Sequence, residues 1–204
     1  MKAVLFSALA LTASLAASAH ATTVSDAKGD FIANSNVAAH VDDLDVRSFS
    51  VTRNGGEFDI SATMNGAIDP RGADQFVFGI NEGTGTNHGF DAIGGGNILF
   101  NQAIGVLATG ASALGHFTVL GDTVSGTVSI ASLQNHGFTP DQFRFSLWSR
   151  IAGGPISNFA DFAPDNGTIS GVPEPTTWAL MLMGFGAAGL MLRGARRRGL
   201  AAVA

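Results

Sequence analysis

The chain has 204 residues, no cysteine and a formal net charge of −5. The absence of cysteine excludes disulfide bonds and thiolate metal sites. Residues 22–171 contain six basic and fifteen acidic side chains, so this central region carries a net charge of −9. That excess argues against nucleic acid and anionic lipid as partners, because phosphate binding requires a basic surface.

The N-terminal segment has the layout of a secretory signal peptide. An initial lysine and an apolar stretch over residues 3–17 precede small residues at Ala19 and Ala21, which form a cleavage site. We therefore predict a signal peptide at 1–21, with export by the secretion machinery. Retention of the segment as an N-terminal anchor is the alternative.

Aspartates are concentrated at the start of the mature region, at Asp26, Asp30, Asp42, Asp43 and Asp45. Hard cations such as Ca²⁺ are bound by several oxygen ligands, so these carboxylates are candidate ligands of a Ca²⁺ site. The spacing of an EF-hand loop is absent. A solvated acidic turn is the alternative interpretation.

Residues 22–171 are predicted to form one all-β domain. Apolar residues occupy every second position in four segments, at 58–64, 76–80, 124–130 and 143–147. This period of two is typical of half-buried strands. About eight to ten short strands separated by glycine-rich turns favour an antiparallel β-sandwich, with a closed barrel as the alternative.

Turn residues and weaker patterns add detail to this prediction. The strand-like segment 44–52 changes phase between Val46 and Phe49, which indicates a bulge. Asn54-Gly55 and Gly121-Asp122 predict hairpin turns. The remaining predictions are short strands at 97–100 and 104–107 and one helical turn at 131–136.

Trp148 is the only tryptophan of the mature domain. The alternation of its strand turns Phe143, Phe145 and Leu147 inward and therefore turns Trp148 outward. An exposed tryptophan near arginines is a possible ligand platform. The alternative is a tryptophan covered by the loop 152–159.

No catalytic motif is found in the chain. The nucleophile elbow G-x-S-x-G and the zinc motif H-E-x-x-H are both absent. Paired carboxylates for glycoside cleavage remain open, because such a pair is defined in space and not in sequence. We predict a protein that is not an enzyme.

The mature region resembles β-sandwiches of the DOMON and family-9 carbohydrate-binding kinds. The residues that carry this resemblance are Asp26-x-x-x-Asp30, the acidic strand entrance at 42–45 with its Asn-Gly hairpin, and the strand at 76–80. The resemblance implies a domain that binds carbohydrate or haem.

The C-terminal segment 172–198 combines a short motif, an apolar run and a basic end. The motif is Pro173-Glu174-Pro175 followed by Trp178, and the basic end consists of Arg193, Arg196, Arg197 and Arg198. We predict a transmembrane helix at 176–192, with Trp178 at the membrane interface and the arginines on the cytoplasmic side. A helix buried in a soluble core is the alternative.

This tail resembles the PEP-CTERM sorting signal of Gram-negative bacteria. The resemblance implies a transient anchor in the inner membrane, cleavage by an exosortase-type membrane enzyme, and a final place at the cell surface or in the extracellular matrix. It also implies a host that makes exopolysaccharide. We therefore expect a non-catalytic binding or structural component of that layer. The alternatives are a secreted hydrolase that acts on the polysaccharide and a ligand-free structural surface protein.

Overall fold

The computed structural model describes residues 21–33, 35, 41–171 and 183–187, in which ten strands form two antiparallel sheets. The strands are β1 (Thr22–Ser25), β2 (Val46–Asn54), β3 (Glu57–Met64), β4 (Asp74–Asn81), β5 (Gln102–Leu107), β6 (His116–Leu120), β7 (Thr123–Ser129), β8 (Arg144–Ile151), β9 (Phe159–Ala163) and β10 (Ile169–Ser170). Short 3₁₀ turns lie at Phe90–Ile93, Ile130–Ser132, Pro140–Gln142 and Ile156–Asn158.

The two sheets pack face to face as a β-sandwich. Sheet A has the strand order β1-β2-β3-β7-β6, and sheet B has the order β10-β8-β4-β5 with β9 also paired to β8. The predicted sandwich is therefore confirmed, and a single closed barrel is wrong. The predicted hairpins between β2 and β3 and between β6 and β7 are present, as is the bulge in β2 after Val46.

The main core lies between the sheets and consists of the inward side chains of both. The Phe78 ring stacks on Phe49 at 5.9 Å and on Phe117 at 5.5 Å between ring centroids. Phe58 meets Phe145 edge to face at 4.8 Å. Each buried phenylalanine contributes about 1.5–3 kcal/mol from the loss of apolar surface to water. This core fixes which face of each strand points outward.

A second apolar cluster covers the outer face of sheet B. Val77 and Trp148 point outward from β4 and β8, and loop residues such as Phe90 and Phe100 pack onto them. The middle of β4 is consequently buried on both faces. Sheet B is thus enclosed between two apolar layers, whereas sheet A has one.

Several local predictions differ from the structure. The segment 97–100 is not a strand, because Phe100 makes only an isolated bridge to Thr86. The helical turn expected at 131–136 lies earlier, at Ile130–Ser132. The sequence pattern also missed β1, β9 and β10, which are short, and β9 has no alternation because all five of its residues are buried.

The predicted terminal segments lie largely outside the described residues. This applies to the signal peptide, and to the proposed membrane helix apart from 183–187, which are helical. Within the described part of the chain, no helix has both the length and the apolar character needed to cross a membrane.

Candidate metal centre

Five aspartates from three separate parts of the chain meet beside β2 and β9. We call them the acidic centre: Asp26, Asp30, Asp45, Asp161 and Asp165. Carboxylate oxygens of Asp26, Asp30 and Asp165 all lie within 4.8 Å of one another, and so do those of Asp30, Asp45 and Asp161. Asp30 belongs to both groups and joins them into one centre.

Backbone pairing brings these segments together. The Asp26 N–H donates to the Arg47 carbonyl at 2.9 Å, which continues the contact between β1 and β2. The Ile32 N–H donates to the Ala160 carbonyl at 2.9 Å, which holds the segment after Asp30 against β9. The N-terminal segment therefore crosses from one sheet to the other at the acidic centre.

Two of the five carboxylates are completely buried and are oriented by the backbone. Asp45 is 0% exposed and accepts hydrogen bonds from the Gly29 N–H at 3.0 and 3.2 Å. Asp161 is 1% exposed and accepts from the N–H groups of Val46 at 2.7 Å and Phe162 at 2.8 Å. These carboxylates are held in fixed positions by the fold.

Two other carboxylate oxygens of the centre have no hydrogen-bond partner. Asp26 Oδ2 and Asp30 Oδ1 are both inaccessible to solvent and accept no hydrogen bond. A buried polar atom without a partner costs free energy, and a buried carboxylate oxygen costs more than a neutral one. These two atoms are therefore available to a ligand that supplies positive charge.

The electrostatics of the centre disfavour five free carboxylates. Burial, followed by the charges of Asp26 and Asp30, raises the pKa of Asp161 to about 8. Burial, followed by the charges of Asp165, Asp30 and Asp45, raises the pKa of Asp26 to about 7. None of the ion pairs among the described residues includes a member of the centre. Protonation or a bound cation is needed to compensate this charge.

The chemistry of these ligands fits a hard divalent cation. Ca²⁺ takes about six to eight oxygen ligands in flexible geometry and accepts carboxylates in mono- or bidentate mode. Five aspartates offer enough oxygens, and the centre contains no nitrogen or sulfur ligand that would favour a transition metal.

Of the five aspartates that the sequence indicated as candidate ligands, three belong to the acidic centre and two do not. Asp26, Asp30 and Asp45 come together, whereas Asp42 and Asp43 do not join them. Asp42 is exposed and pairs with Lys28 at 2.9 Å. Asp42 and Asp43 were candidate ligands beside Asp45, but neither belongs to the carboxylate groups of the centre.

Asp43 instead interacts with Asp74 at the start of β4, and the two form an acidic pair apart from the acidic centre. The two carboxyl groups interact, and Asp74 is 6% exposed. Burial, followed by the charges of Asp43 and Asp69, raises the pKa of Asp74 to about 6. This pair fits a shared proton, since two adjacent carboxylates do not both ionise easily.

Asp161 and Asp165 are the members of the centre that the sequence did not identify. They lie more than one hundred residues from Asp26 along the chain. Their spacing of four residues repeats that of Asp26 and Asp30, which is the one local pattern that links the two segments.

Trp148 is not an exposed ligand platform. It points away from the main core, as the alternation predicted, but it is only 3% exposed. Phe90, Phe100 and Phe159 cover it, with ring centroids 4.9–6.1 Å from the indole. Only part of this cover, Phe159, comes from the loop that was expected to bury it.

Comparison with known protein families identifies a motif at the C-terminus. Residues 171–198 match the family model of the PEP-CTERM protein-sorting motif. The matched stretch includes Pro173, Glu174, Pro175, Trp178 and the four arginines, all of which lie outside the described residues. No curated protein matches the chain. The motif implies a protein that is exported, processed by an exosortase and sorted to the cell surface.

Proposed function

We propose that residues 22–171 form a non-catalytic binding or structural component of the exopolysaccharide layer, held in its folded form by Ca²⁺ at the acidic centre. The observation that carries the Ca²⁺ role is the pair of unpartnered, buried oxygens on Asp26 and Asp30 beside the fixed carboxylates of Asp45 and Asp161. The link to the polysaccharide layer is supported by the sorting motif. The resemblance to DOMON and family-9 carbohydrate-binding domains agrees with it and stays a prediction.

A cation at the acidic centre would act as a clamp between the two sheets. It would join the N-terminal segment to the start of β2 in sheet A and to β9 in sheet B. Extracellular Ca²⁺ modules have dissociation constants of about 10⁻⁴–10⁻³ M, which suits the Ca²⁺ concentrations outside a cell. The domain would therefore be most stable after export.

The non-catalytic role is supported by a depression on the outer face of sheet A. This shallow depression has a volume of about 370 Å³, and Asp59 is the only carboxylate among its lining residues. Glycoside hydrolysis uses two carboxyl groups on either side of the scissile bond. The buried oxygens of Asp45 and Asp161 already accept backbone hydrogen bonds, which suits a structural role.

The direct test is Ca²⁺ titration of the protein recovered from its host, after removal of bound metal with EDTA. Asp30→Asn should weaken Ca²⁺ binding by at least about tenfold, because Asp30 belongs to both ligand groups. Asp91→Asn is the matched control, since Asp91 is exposed and lies outside the centre. Equal Ca²⁺ affinity of both variants, or no binding by the wild type, would refute the Ca²⁺ role.

The same preparations distinguish the alternative functions. Release of new reducing ends from the host polysaccharide would establish a hydrolase. The protein can also be recovered from washed cells of a host that is unable to make the polysaccharide. An unchanged amount would favour a ligand-free surface protein.

A further inference from the structure

The outer face of sheet A carries a regular array of hydroxyl groups, which we call the hydroxyl face. The strand register aligns the residues of this array in three rows. A fourth outward row, with Asn54, Glu57 and Ser129, lies at the hairpin end of β2 and β3 and is not part of the array. The middle row crosses all five strands and consists only of serine and threonine, at Thr23, Ser50, Ser61, Ser125 and Thr118.

The two flanking rows continue the pattern. One contains Ser25, Ser48, Thr63 and Thr123 and ends at Leu120, and the other contains Thr52, Asp59, Thr127 and His116. Eleven of the fourteen positions in these three rows therefore carry a hydroxyl. Because the inward residues of these strands form the main core, the array belongs to the opposite, solvent-facing side.

The composition of this face differs from that of the domain. The mature region has a net charge of −9, yet Asp59 is the only carboxylate in the array. The side-chain hydroxyls of Ser50, Ser61 and Thr127 make no hydrogen bond to other described residues, and Thr118 makes one long bond of 3.4 Å to the Ser125 carbonyl. Thr123, in a flanking row, donates to Asp122 at 2.9 Å. The hydroxyls in the middle of the face are thus free to bond to a ligand, and those of Ser50, Thr52, Ser61, Thr118, Ser125 and Thr127 line the depression of about 370 Å³.

We infer that the hydroxyl face binds a neutral polysaccharide that lies flat across the strands. This inference rests on the proposed function, because the exopolysaccharide layer supplies the polymer. A hydroxyl both donates and accepts hydrogen bonds, which matches the hydroxyl groups of a sugar chain. Neighbouring strands place the protein hydroxyls about 4.8 Å apart, so one extended chain meets several of them at once.

The ligand is a polymer because single contacts are too weak. Each hydrogen bond exchanged with water contributes about 0.5–1.5 kcal/mol net, which is insufficient for one sugar unit. Repeated units on one chain raise the effective concentration of each further contact. An acidic polymer is disfavoured, because the domain itself is strongly negative.

Co-sedimentation with microcrystalline cellulose, an insoluble neutral glucan, tests the inference on protein recovered from the host. We expect the protein to be retained on cellulose. Soluble dextran should reduce this retention by competition, whereas free glucose should not. Ser61→Lys or Thr118→Lys should weaken retention by about tenfold, because a lysine covers the neighbouring hydroxyls and removes one of them. Thr109→Lys is the matched control: Thr109 is also exposed and has one hydrogen bond of 3.4 Å, but it lies in the turn after β5.

Equal retention of the three lysine variants would overturn the inference, as would stronger retention on alginate, an acidic polymer, than on cellulose. Failure here is separable from failure of the proposed function. A wild-type protein that is present in the layer and binds Ca²⁺, but does not sediment with the glucan, overturns the hydroxyl face alone. A protein that sediments normally but whose Ca²⁺ affinity is unaffected by Asp30→Asn overturns the role of the acidic centre alone.

Discussion

Two fully buried serines on β8 differ in whether their hydroxyl has a partner. Ser149 donates to the Leu44 carbonyl, whereas the Ser146 hydroxyl has no partner. Ser146→Ala should stabilise the domain by up to about 1 kcal/mol, because it removes an unsatisfied polar group. Ser149→Ala should destabilise it by about 0.5–1.5 kcal/mol, because it breaks a buried hydrogen bond.

Urea denaturation of the two serine variants measures both changes in the free energy of unfolding. The dependence of that free energy on urea concentration is measured for each variant rather than assumed equal. The pair serves as its own control, since both residues are 0% exposed on the same strand. A loss of stability in both variants would mean that the Ser146 hydroxyl has a partner after all.

Asp74 gives a prediction about pH at the residue scale. Its folded pKa of about 6 exceeds its ordinary value of 3.8 because of burial and the nearby Asp43 and Asp69. The folded state therefore holds a proton that the unfolded chain releases, and stability falls as pH rises from about 4 through 6. Asp74→Asn should raise the melting temperature at about pH 8, and should raise it by clearly less at about pH 5, where the folded carboxyl group is still mostly protonated.

Thermal unfolding in EDTA at these two pH values measures this effect without interference from metal. Asp91→Asn, which removes an exposed charge, should change little at either pH. An equal gain for Asp74→Asn at both pH values would exclude relief of charge repulsion as its cause.

At the scale of the element, the attachment of the edge strand β6 depends on a glycine. Gly126 of β7 lies opposite Phe117, and a Cβ there would come 2.2 Å from the His116 carbonyl oxygen and 2.6 Å from the Phe117 ring. Gly126→Ala should therefore cost about 1–3 kcal/mol and weaken the pairing of β6. Gly56→Ala is the control, because nothing lies within 4 Å of a Cβ at that position.

Urea unfolding and amide hydrogen exchange along β6 measure the two effects of the glycine substitution. We expect faster exchange in β6 of Gly126→Ala and no change for Gly56→Ala. Unchanged exchange and stability in Gly126→Ala would show that β6 moves aside at no cost.

Elements could be predicted from the sequence where one face alone is buried. Strand β3 alternates strictly because its other face carries the hydroxyl array, and its hairpin turn has glycines at both central positions. Strand β9 gave no such pattern, since it is covered on both faces, and β10 has only two residues. Trp148 shows the same limit: alternation predicts the side of a strand, but which residues form a second layer over it is not encoded locally.

At the scale of the whole molecule, the acidic centre shows why only part of a site could be predicted. Asp26, Asp30 and Asp45 lie close in sequence, which made them candidate ligands beside the alternative of a solvated acidic turn. Asp161 joins them because β9 pairs with β8 and the N-terminal segment crosses to β9. No local pattern encodes such a contact between distant segments.

We predict that the centre couples the stability of the whole domain to pH and to Ca²⁺. In the folded state the pKa values of Asp26, about 7, and Asp161, about 8, both exceed the ordinary value of 3.8. Without metal, the folded state binds more protons than the unfolded chain between about pH 4 and pH 8. The free energy of unfolding should therefore fall as pH rises across that window.

Ca²⁺ should oppose this loss, because the metal binds the deprotonated carboxylates and so binds more tightly at higher pH. At about ten times its dissociation constant it should add about 1.4 kcal/mol to the free energy of unfolding. Melting temperatures with EDTA and with millimolar Ca²⁺, at about pH 5 and pH 8, measure both effects. Because Asp30 joins the two ligand groups, Asp30→Asn should lose most of the Ca²⁺ gain at pH 8. A gain of equal size at both pH values would mean that Ca²⁺ stabilises the domain from a site other than the acidic centre.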